Sequence, residues 1–411
     1  MTKNDRYMVG LDIGTSNVNC IVAETRDPGP PAIVGIGSAP SRGLRKGVVV
    51  NLEACVEAIK RAVEEAELMA GVEAERAYVG IAGGHIRSVN GRGVVAIAGR
   101  DRTVTREDVT RVLDAAKAIS IPQDQEILHV VPQEFVVDDQ DGIHHPVGMS
   151  GSRLEALVHI VTGSISSVQT LVNCVNRAGI EVVDTILEQF ASAEAVLTAD
   201  EREMGVALID IGGGTTDIAL FERGSIVHTS VLPTGGDHFT SDIAIGLRTP
   251  IPEAEKIKKK YGCALASMIG EDEMIEVPTM GGRKPRVLSR QVLCEIVQPR
   301  AEEIFGLVQD EIKRSGYDKS IAAGLVLTGG GSILEGIPEI AEQLFDLPVR
   351  RASPAGIGGL ADVVASPQYA TAIGLLLYGA KHRTVKRRPP AHETLIPRLA
   401  GRVREMIGQI F

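Results

Sequence analysis

One short pattern occurs twice in this chain. Residues 7–24 read YMVGLDIGTSNVNCIVAE: an apolar strand reaches Asp12, turns through Gly14, Thr15 and Ser16, and resumes as a second strand. Residues 206–222 read VALIDIGGGTTDIALFE, with the same logic around Asp210, Gly212, Gly213, Gly214, Thr215, Thr216 and Asp217. The shared Asp-Ile-Gly is displaced by 198 residues. Each copy continues in parallel, the first into helix 52–70 and YVGIAGG (78–84), the second into helix 289–315 and LVLTGGG (325–331). Two halves with one order of strand, turn and helix predict duplicated α/β domains facing a cleft.

The halves differ in their insertions. Residues 84–163 hold alternating strands and a helix and predict an inserted α+β subdomain. Residues 241–315 predict helices at both ends around a loop-rich centre, EVPTMGGRKPRVLSR. A chain of 411 residues is too long for one core, and its 44% hydrophobic and 23% charged residues are those of a soluble protein. Aromatics are 3% with no Trp, which argues against stacking on sugars or bases. Cysteines 20, 55, 174, 263 and 294 are scattered without a CxxC, so no zinc site or disulfide framework is expected and a reducing cytoplasm fits. No signal-peptide stretch opens the sequence, and no apolar run approaches the ~18 residues of a membrane span.

Asp followed by Gly-x-Thr/Ser at a strand end has a physical use. Glycine lets backbone N–H groups approach an anion without a Cβ, and the hydroxyls add donors. Two such turns, one from each half, can grip a phosphate chain from opposite sides, with Asp12 and Asp210 holding magnesium through its waters. One copy alone reads equally as a tight β-hairpin. Gly329, Gly330 and Gly331 open the segment SILEGIPEIAEQLF, either as a helix start capped by Ser332 or as a flat platform for a nucleoside. Neither GxxxxGK[ST] nor a GxGxxG after the first strand is present, so the nucleotide reading rests on duplication and placement.

Charge is distributed unevenly. The chain carries a net −10, yet residues 381–411 have eight Lys or Arg against two acids, +6, which leaves −16 for the rest. Within IPRLAGRVREMIGQIF (396–411), Ile396, Leu399, Ala400, Val403, Met406, Ile407, Ile410 and Phe411 recur at helical spacing, with Arg398, Arg402 and Arg404 toward the other face. At about 1.5 Å per residue this helix is roughly 24 Å long, too short and too charged to span a bilayer. It predicts a helix lying among anionic headgroups, tethered by the basic, proline-broken 386–395. Docking on the protein's own body is the other reading. The acidic body and continuous apolar stripe argue against nucleic acid.

LDIGTSNV, LIDIGGGTTDI, ILEQFASAEAVL (186–197) and LVLTGGGSILEGI resemble the actin, DnaK-type chaperone and sugar-kinase superfamily. GGDHFTSDIA, EAEKIKKKYG, EVPTMGGRKPR and YATAIGLLLYG extend the likeness, from first strand to last residue, to the FtsA family of bacterial cell-division proteins. The resemblance implies an actin-like fold. Subdomain 1A would take 1–83, 164–195 and 368–385, and 1C would take 84–163. Subdomain 2A would take 196–240 with 316–367, and 2B would take 241–315. It also implies ATP and Mg2+ binding, polymerisation on the cytoplasmic face of the inner membrane at the division site, tethering of FtsZ by its C-terminal peptide, and contacts with other division proteins.

Carried onto this sequence, the resemblance adds Lys258, with Lys259 beside it, on the purine side and Gly236 and Asp237 near ribose or phosphates. Lys256–Lys260 is equally a solvated helix face. Glu188 and Gln189 fall where the superfamily orients an attacking water, and also read as the polar start of a helix; any hydrolysis is expected to be slow and regulatory. Met280, Arg286, Arg290 and Arg300 would meet the FtsZ peptide, or the arginines serve in ordinary ion pairs. The competing functions are a soluble phosphotransferase or phosphatase on the same fold, which has no use for an amphipathic tail, and a pilus-assembly or rod-shape homologue. A DnaK-type chaperone is disfavoured because no substrate-binding domain follows.

Overall fold

Asp12 faces Asn19 across one hairpin and Asp210 faces Asp217 across another, each pair seven residues apart. Around these hairpins the computed structural model, which describes residues 6–26, 29–99, 101–270, 272–279 and 284–382, builds two sheets of one topology. In the first half, Tyr7–Ile13, Asn17–Glu24 and Ala32–Pro40 form an antiparallel meander, and Arg76–Ile81 and Glu181–Leu187 add in parallel beside Tyr7–Ile13. In the second, Val206–Ile211, Thr216–Glu222 and Ser225–Leu232 form the meander, and Leu325–Thr328 and Val349–Arg351 add in parallel. The duplication expected from Asp-Ile-Gly is therefore present strand for strand.

Val206–Ile211 is buried at every residue and Tyr7–Ile13 at all but its first, because helices cover both faces of each sheet. Helix Leu52–Ala70 lies on one face of the first sheet, started by Asn51, whose side chain accepts from the Ala54 N–H at 3.1 Å, and ended by Gly71 in the left-handed region. Helices Glu188–Val196 and Ala370–Lys381 cross between the halves. A Cβ on Gly374 would lie 1.7 Å from the Ala191 carbonyl, so only glycine permits this crossing. Their apolar faces join Met8 and Ile21 of the first sheet to Leu208 and Val326 of the second in one core, largely aliphatic as the composition requires.

The inserted subdomain is a four-stranded antiparallel sheet, ordered Arg87–Ala96, Arg153–Ser164, Gln125–Val137, Gln140–Ile143. Helix Arg106–Ala116 covers it, with Thr105 and Asp108 closing a capping box. Ile86, Leu128 and Val161 run from it into the first-half core; burying such side chains stabilises the joint by about 2 kcal/mol each.

Three expectations need correction. The centre of 241–315 is not simply loop: Met274–Val277 and Arg286–Ser289 pair as an antiparallel hairpin, with Ile275 and Val277 buried beneath it. The flanking Pro, Gly and basic residues hid that short alternation. Gly329–Gly331 does not open a continuous helix. A 3-10 turn, Gly330–Ile333, is followed by a helix starting only at Ile337, because Gly336 sits at φ 78 and Pro338 follows; Ser332 donates to the Gly329 carbonyl instead of capping that helix. Finally, Gly358–Gly359, expected with the second half, pairs with Ala32–Ile33 at the edge of the first sheet. The linker 386–395 and the helix 396–411 lie outside the described residues.

Candidate functional site

The two glycine turns are closed by one hydrogen bond each, Gly14 N–H to Asn17 O at 3.0 Å and Gly212 N–H to Thr215 O at 2.9 Å. Identical closure gives identical tips, and the tips meet. A Cβ on Gly213 would stand 1.9 Å from Ser16 Oγ, and one on Gly214 would stand 2.7 Å from Thr15 Oγ1. Glycine at both positions is what lets the turns approach. Thr15 Oγ1 accepts from the Gly47 N–H at 3.1 Å, and Ser16 Oγ donates across the cleft to Asp237 Oδ1 at 3.2 Å.

The second turn is held from behind. The N–H groups of Gly236 and Asp237, opening helix Gly236–Leu247, donate to the carbonyls of Gly212 and Gly213 at 2.9 and 2.8 Å. Lys258 fastens that helix start, donating to the Gly236 carbonyl at 2.9 Å and to Thr240 Oγ1 at 2.8 Å while paired with Glu255. Its side chain is 13% exposed, against 70% for Lys259 and 72% for Lys256, so of the three only Lys258 belongs to the cleft side. Gly329 presses on the same strand end: a Cβ there would lie 2.2 Å from Asp210 Oδ1. Asp12, both turns, Thr216, Gly236, Asp237, Lys258 and Gly329–Gly331 are thus brought to one cleft; Thr216 Oγ1 there donates to the Thr234 carbonyl.

Beneath the turns lie four carboxyl groups, the buried Asp12, Asp210 and Asp217 and the half-buried Glu188. Burial pushes Asp12 up to about 7, with the Asn19 amide, 3.2 Å away, pulling down and Asp210 pushing up. Burial likewise raises Asp210 to about 6, restrained by hydroxyl hydrogen bonds from Thr371 and Ser192. Asp217 rises to about 8 through burial and then the charge of Asp210. Glu188 rises well above the ordinary carboxylate range through burial and the charges of Asp12, Asp217 and Asp210. Four acids in a low-dielectric site cannot all ionise without a cation, so the cluster fits one. Among the described residues no group of three acidic, His or Cys side chains is placed to hold an ion directly.

Gln189 lies in the same layer, donating through Nε2 to Asp217 Oδ1 at 2.9 Å and to the Ser230 carbonyl at 3.3 Å. Its Oε1 is buried with no hydrogen-bond partner, an acceptor that a donor such as water would satisfy. Asp217 is the residue that sequence reasoning left without a role. Its signal was available, since it stands seven residues after Asp210 as Asn19 does after Asp12. Thr371 and Ser192 had none, because they reach Asp210 only through the crossing of two distant helices.

Elsewhere the expected residues separate. Arg290 is bound to Glu273, Glu335 and the Tyr261 carbonyl, and Arg300 to Asp242 and Glu303. Arg286 donates to the Leu247 carbonyl. All three arginines are therefore engaged within the chain. Met280 and Ile396, Leu399, Arg402, Val403, Met406, Ile407, Ile410 and Phe411 lie outside the described residues. Among the described residues no helix is long and apolar enough to cross a membrane.

Known proteins are similar to this chain. The family description "Cell division protein FtsA" matches residues 207–374, "SHS2 domain inserted in FTSA" matches 83–162, and "Type IV pilus assembly protein PilM" matches 146–266. In solved structures the fold is similar to that of a PilM–PilN type IV pilus biogenesis complex (TM-score 0.65, 19% identity, 91% of this chain and 98% of that one). It is also similar to MreB5 of Spiroplasma citri bound to ADP (TM-score 0.54, 17% identity, 91% and 96%). Such distant likeness establishes an actin-like ATPase fold and nothing finer. The sequence relatives are much nearer. Cell division protein FtsA of Pseudomonas aeruginosa is 54% identical across 93% of this chain and 91% of its own length. The proteins of that name from Escherichia coli K12 and Bacillus subtilis are 44% identical (91% of this chain, 90% of theirs) and 40% identical (94% and 86%). With relatives at 40–54% identity over most of its length and the inserted subdomain matched, the chain belongs to the FtsA family of cell-division proteins.

Proposed function

We propose that this protein binds ATP with Mg2+ between its two glycine turns, polymerises on the cytoplasmic face of the inner membrane at the division site, and tethers FtsZ there. The observation that carries the nucleotide part is the meeting of two like turns, one from each half, above three buried carboxyl groups and the half-buried Glu188. Backbone N–H groups of the turns with Thr15, Ser16, Thr215 and Thr216 would bind the phosphates once the halves rotate apart. Asp12 and Asp210 would hold the ion's waters, and Gly329–Gly331 would support the nucleoside, with Lys258 on the purine side. Magnesium supplies neutralisation of phosphate charge. Gln189 would orient a water through its free Oε1; Glu188, whose pKa burial and neighbouring acids raise, would act as a base more readily once a cation lowers it.

The tail supports membrane residence. One short amphipathic helix binds lipid weakly, and assembly would array many copies and raise avidity steeply. For the FtsZ C-terminal peptide, the small second-half subdomain offers exposed Ile245, Ile251, Met274 and Val287 beside Arg286, with Met280 as a further apolar contact. Arg290 and Arg300 would contribute there only by exchanging their present carboxylates.

Electron microscopy of the full chain on an anionic lipid monolayer with ATP and Mg2+, beside the chain ending at Thr394, tests this reading. Filaments on lipid with the intact tail only are expected. Bare lipid in both, with protein folded and nucleotide bound, would return the soluble phosphotransferase reading.

A further inference from the structure

The inserted subdomain grips the two halves by different chemistry. Toward the first half, into which it is spliced, the contact is mainly apolar: Ile86, Leu128 and Val161 belong to that half's core, beside a hydrogen bond from the Leu187 N–H to His129. Toward the second half it is polar and covers the outer strand of that sheet, Ser225–Leu232. Asn90 Nδ2 donates to the Val227 carbonyl at 3.1 Å, Ser88 Oγ to the Thr229 carbonyl at 2.8 Å, and Gln133 Nε2 to the Ile226 carbonyl at 3.0 Å. Ser225 Oγ answers by donating to the Gln133 carbonyl at 2.8 Å. At the centre His159, 1% exposed, pairs Nδ1 with Asn90 Oδ1 at 2.8 Å and Nε2 with Thr229 Oγ1 at 3.0 Å.

Water can replace each of these polar bonds when the surfaces part, whereas exposing the apolar joint has no such compensation. We propose that the insert is fixed to the first half and acts as a releasable latch on the second, opened when the halves rotate apart to admit nucleotide. The tip-to-tip contact of the glycine turns and the latch then belong to one closed arrangement, and loosening either favours the other's release. This inference rests on the nucleotide reading of the cleft.

Two measurements on the full chain test it. Asn90→Ala removes the residue that bridges His159 and Val227. Because closure is a tax on binding, the variant is expected to take up ATP–Mg2+ with an apparent Kd about threefold to tenfold lower, the effect of one or two such bonds. Unchanged or weaker affinity in a variant that melts normally overturns the latch. Ser88→Cys places a thiol against Thr229, while all five native cysteines are buried. Its rate of maleimide labelling is expected to rise severalfold on adding ATP–Mg2+, and a rate indifferent to bound nucleotide overturns the proposal even if Asn90→Ala fails to fold. Absence of any ATP binding by the unmodified chain would instead sink the nucleotide reading, and the latch, which rests on it, would fall with it.

Discussion

In the first hairpin an asparagine faces the strand-end aspartate; in the second an aspartate does. The backbones are alike, down to the hydrogen bond that closes each turn. Asn19 donates to Asp12 and is held from behind by Ser38, which donates to its Oδ1 at 2.9 Å. That half is a satisfied network. Asp217 instead sets a second carboxyl beside Asp210 in the same buried layer and is kept in place by Thr215 and Gln189. A duplicated strand–turn–strand thus gives one half an acid paired with an amide and the other half two acids side by side. The difference adds one more buried acid to the layer shared by Asp12 and Asp210, and sets it against Gln189.

The comparison can be broken at four points. Asp210→Ala should have the largest effect, abolishing Mg2+-dependent ATP binding with the fold retained; calorimetric titration and a thermal melt check both, and unaltered affinity would remove Asp210 from the site. Asn19→Asp should make the first hairpin resemble the second without the partners that hold Asp217, costing about 3 kcal/mol in denaturant unfolding. The reverse change, Asp217→Asn, should stabilise the protein by about 2 kcal/mol near pH 7. The folded state there keeps Asp217 protonated up to about 8 while the unfolded chain ionises it near 3.8, so relief of that mismatch favours folding.

The smallest effect concerns His159. Burial holds it neutral, down to about 3, with the charge of His228 adding. The folded state therefore binds fewer protons than the unfolded chain below the ordinary 6.5, and stability is full above that pH and falls as pH drops toward 3. His228 with Glu311, and Tyr317, face it from the second half, and Glu155 lies further along its own strand, held by Arg92 and Arg153. Melting between pH 7 and 5.5 should drop more for the unmodified chain than for His159→Gln, by about 1 kcal/mol.

Much of this was legible in the sequence because both turns are local. Asp12 to Ser16 and Asp210 to Thr216 need only their own backbone to form, and their repetition marked the fold. Lys258 was legible by resemblance alone, since its contact with Gly236 joins residues 22 apart. What stayed hidden depends on long-range approach. Thr371 reaches Asp210 because Gly374 lets two helices cross, and His159 meets Thr229 because an insert folds back over another half's sheet. The hairpin 274–289 escaped for another reason: each strand has four residues, too few for an alternation to stand out beside Pro and Gly.

Beside Asp12 and Asp210, which we propose hold the ion's waters, Asp217 would add to the demand for a cation that arrives with the nucleotide. Titrating ATP with and without Mg2+ into the full chain and into Asp217→Asn tests it most directly. Mg2+ is expected to strengthen ATP binding strongly in the unmodified chain, and most of that gain is expected to be lost in the variant, although the variant is the more stable protein. An equal response to Mg2+ in both would contradict it.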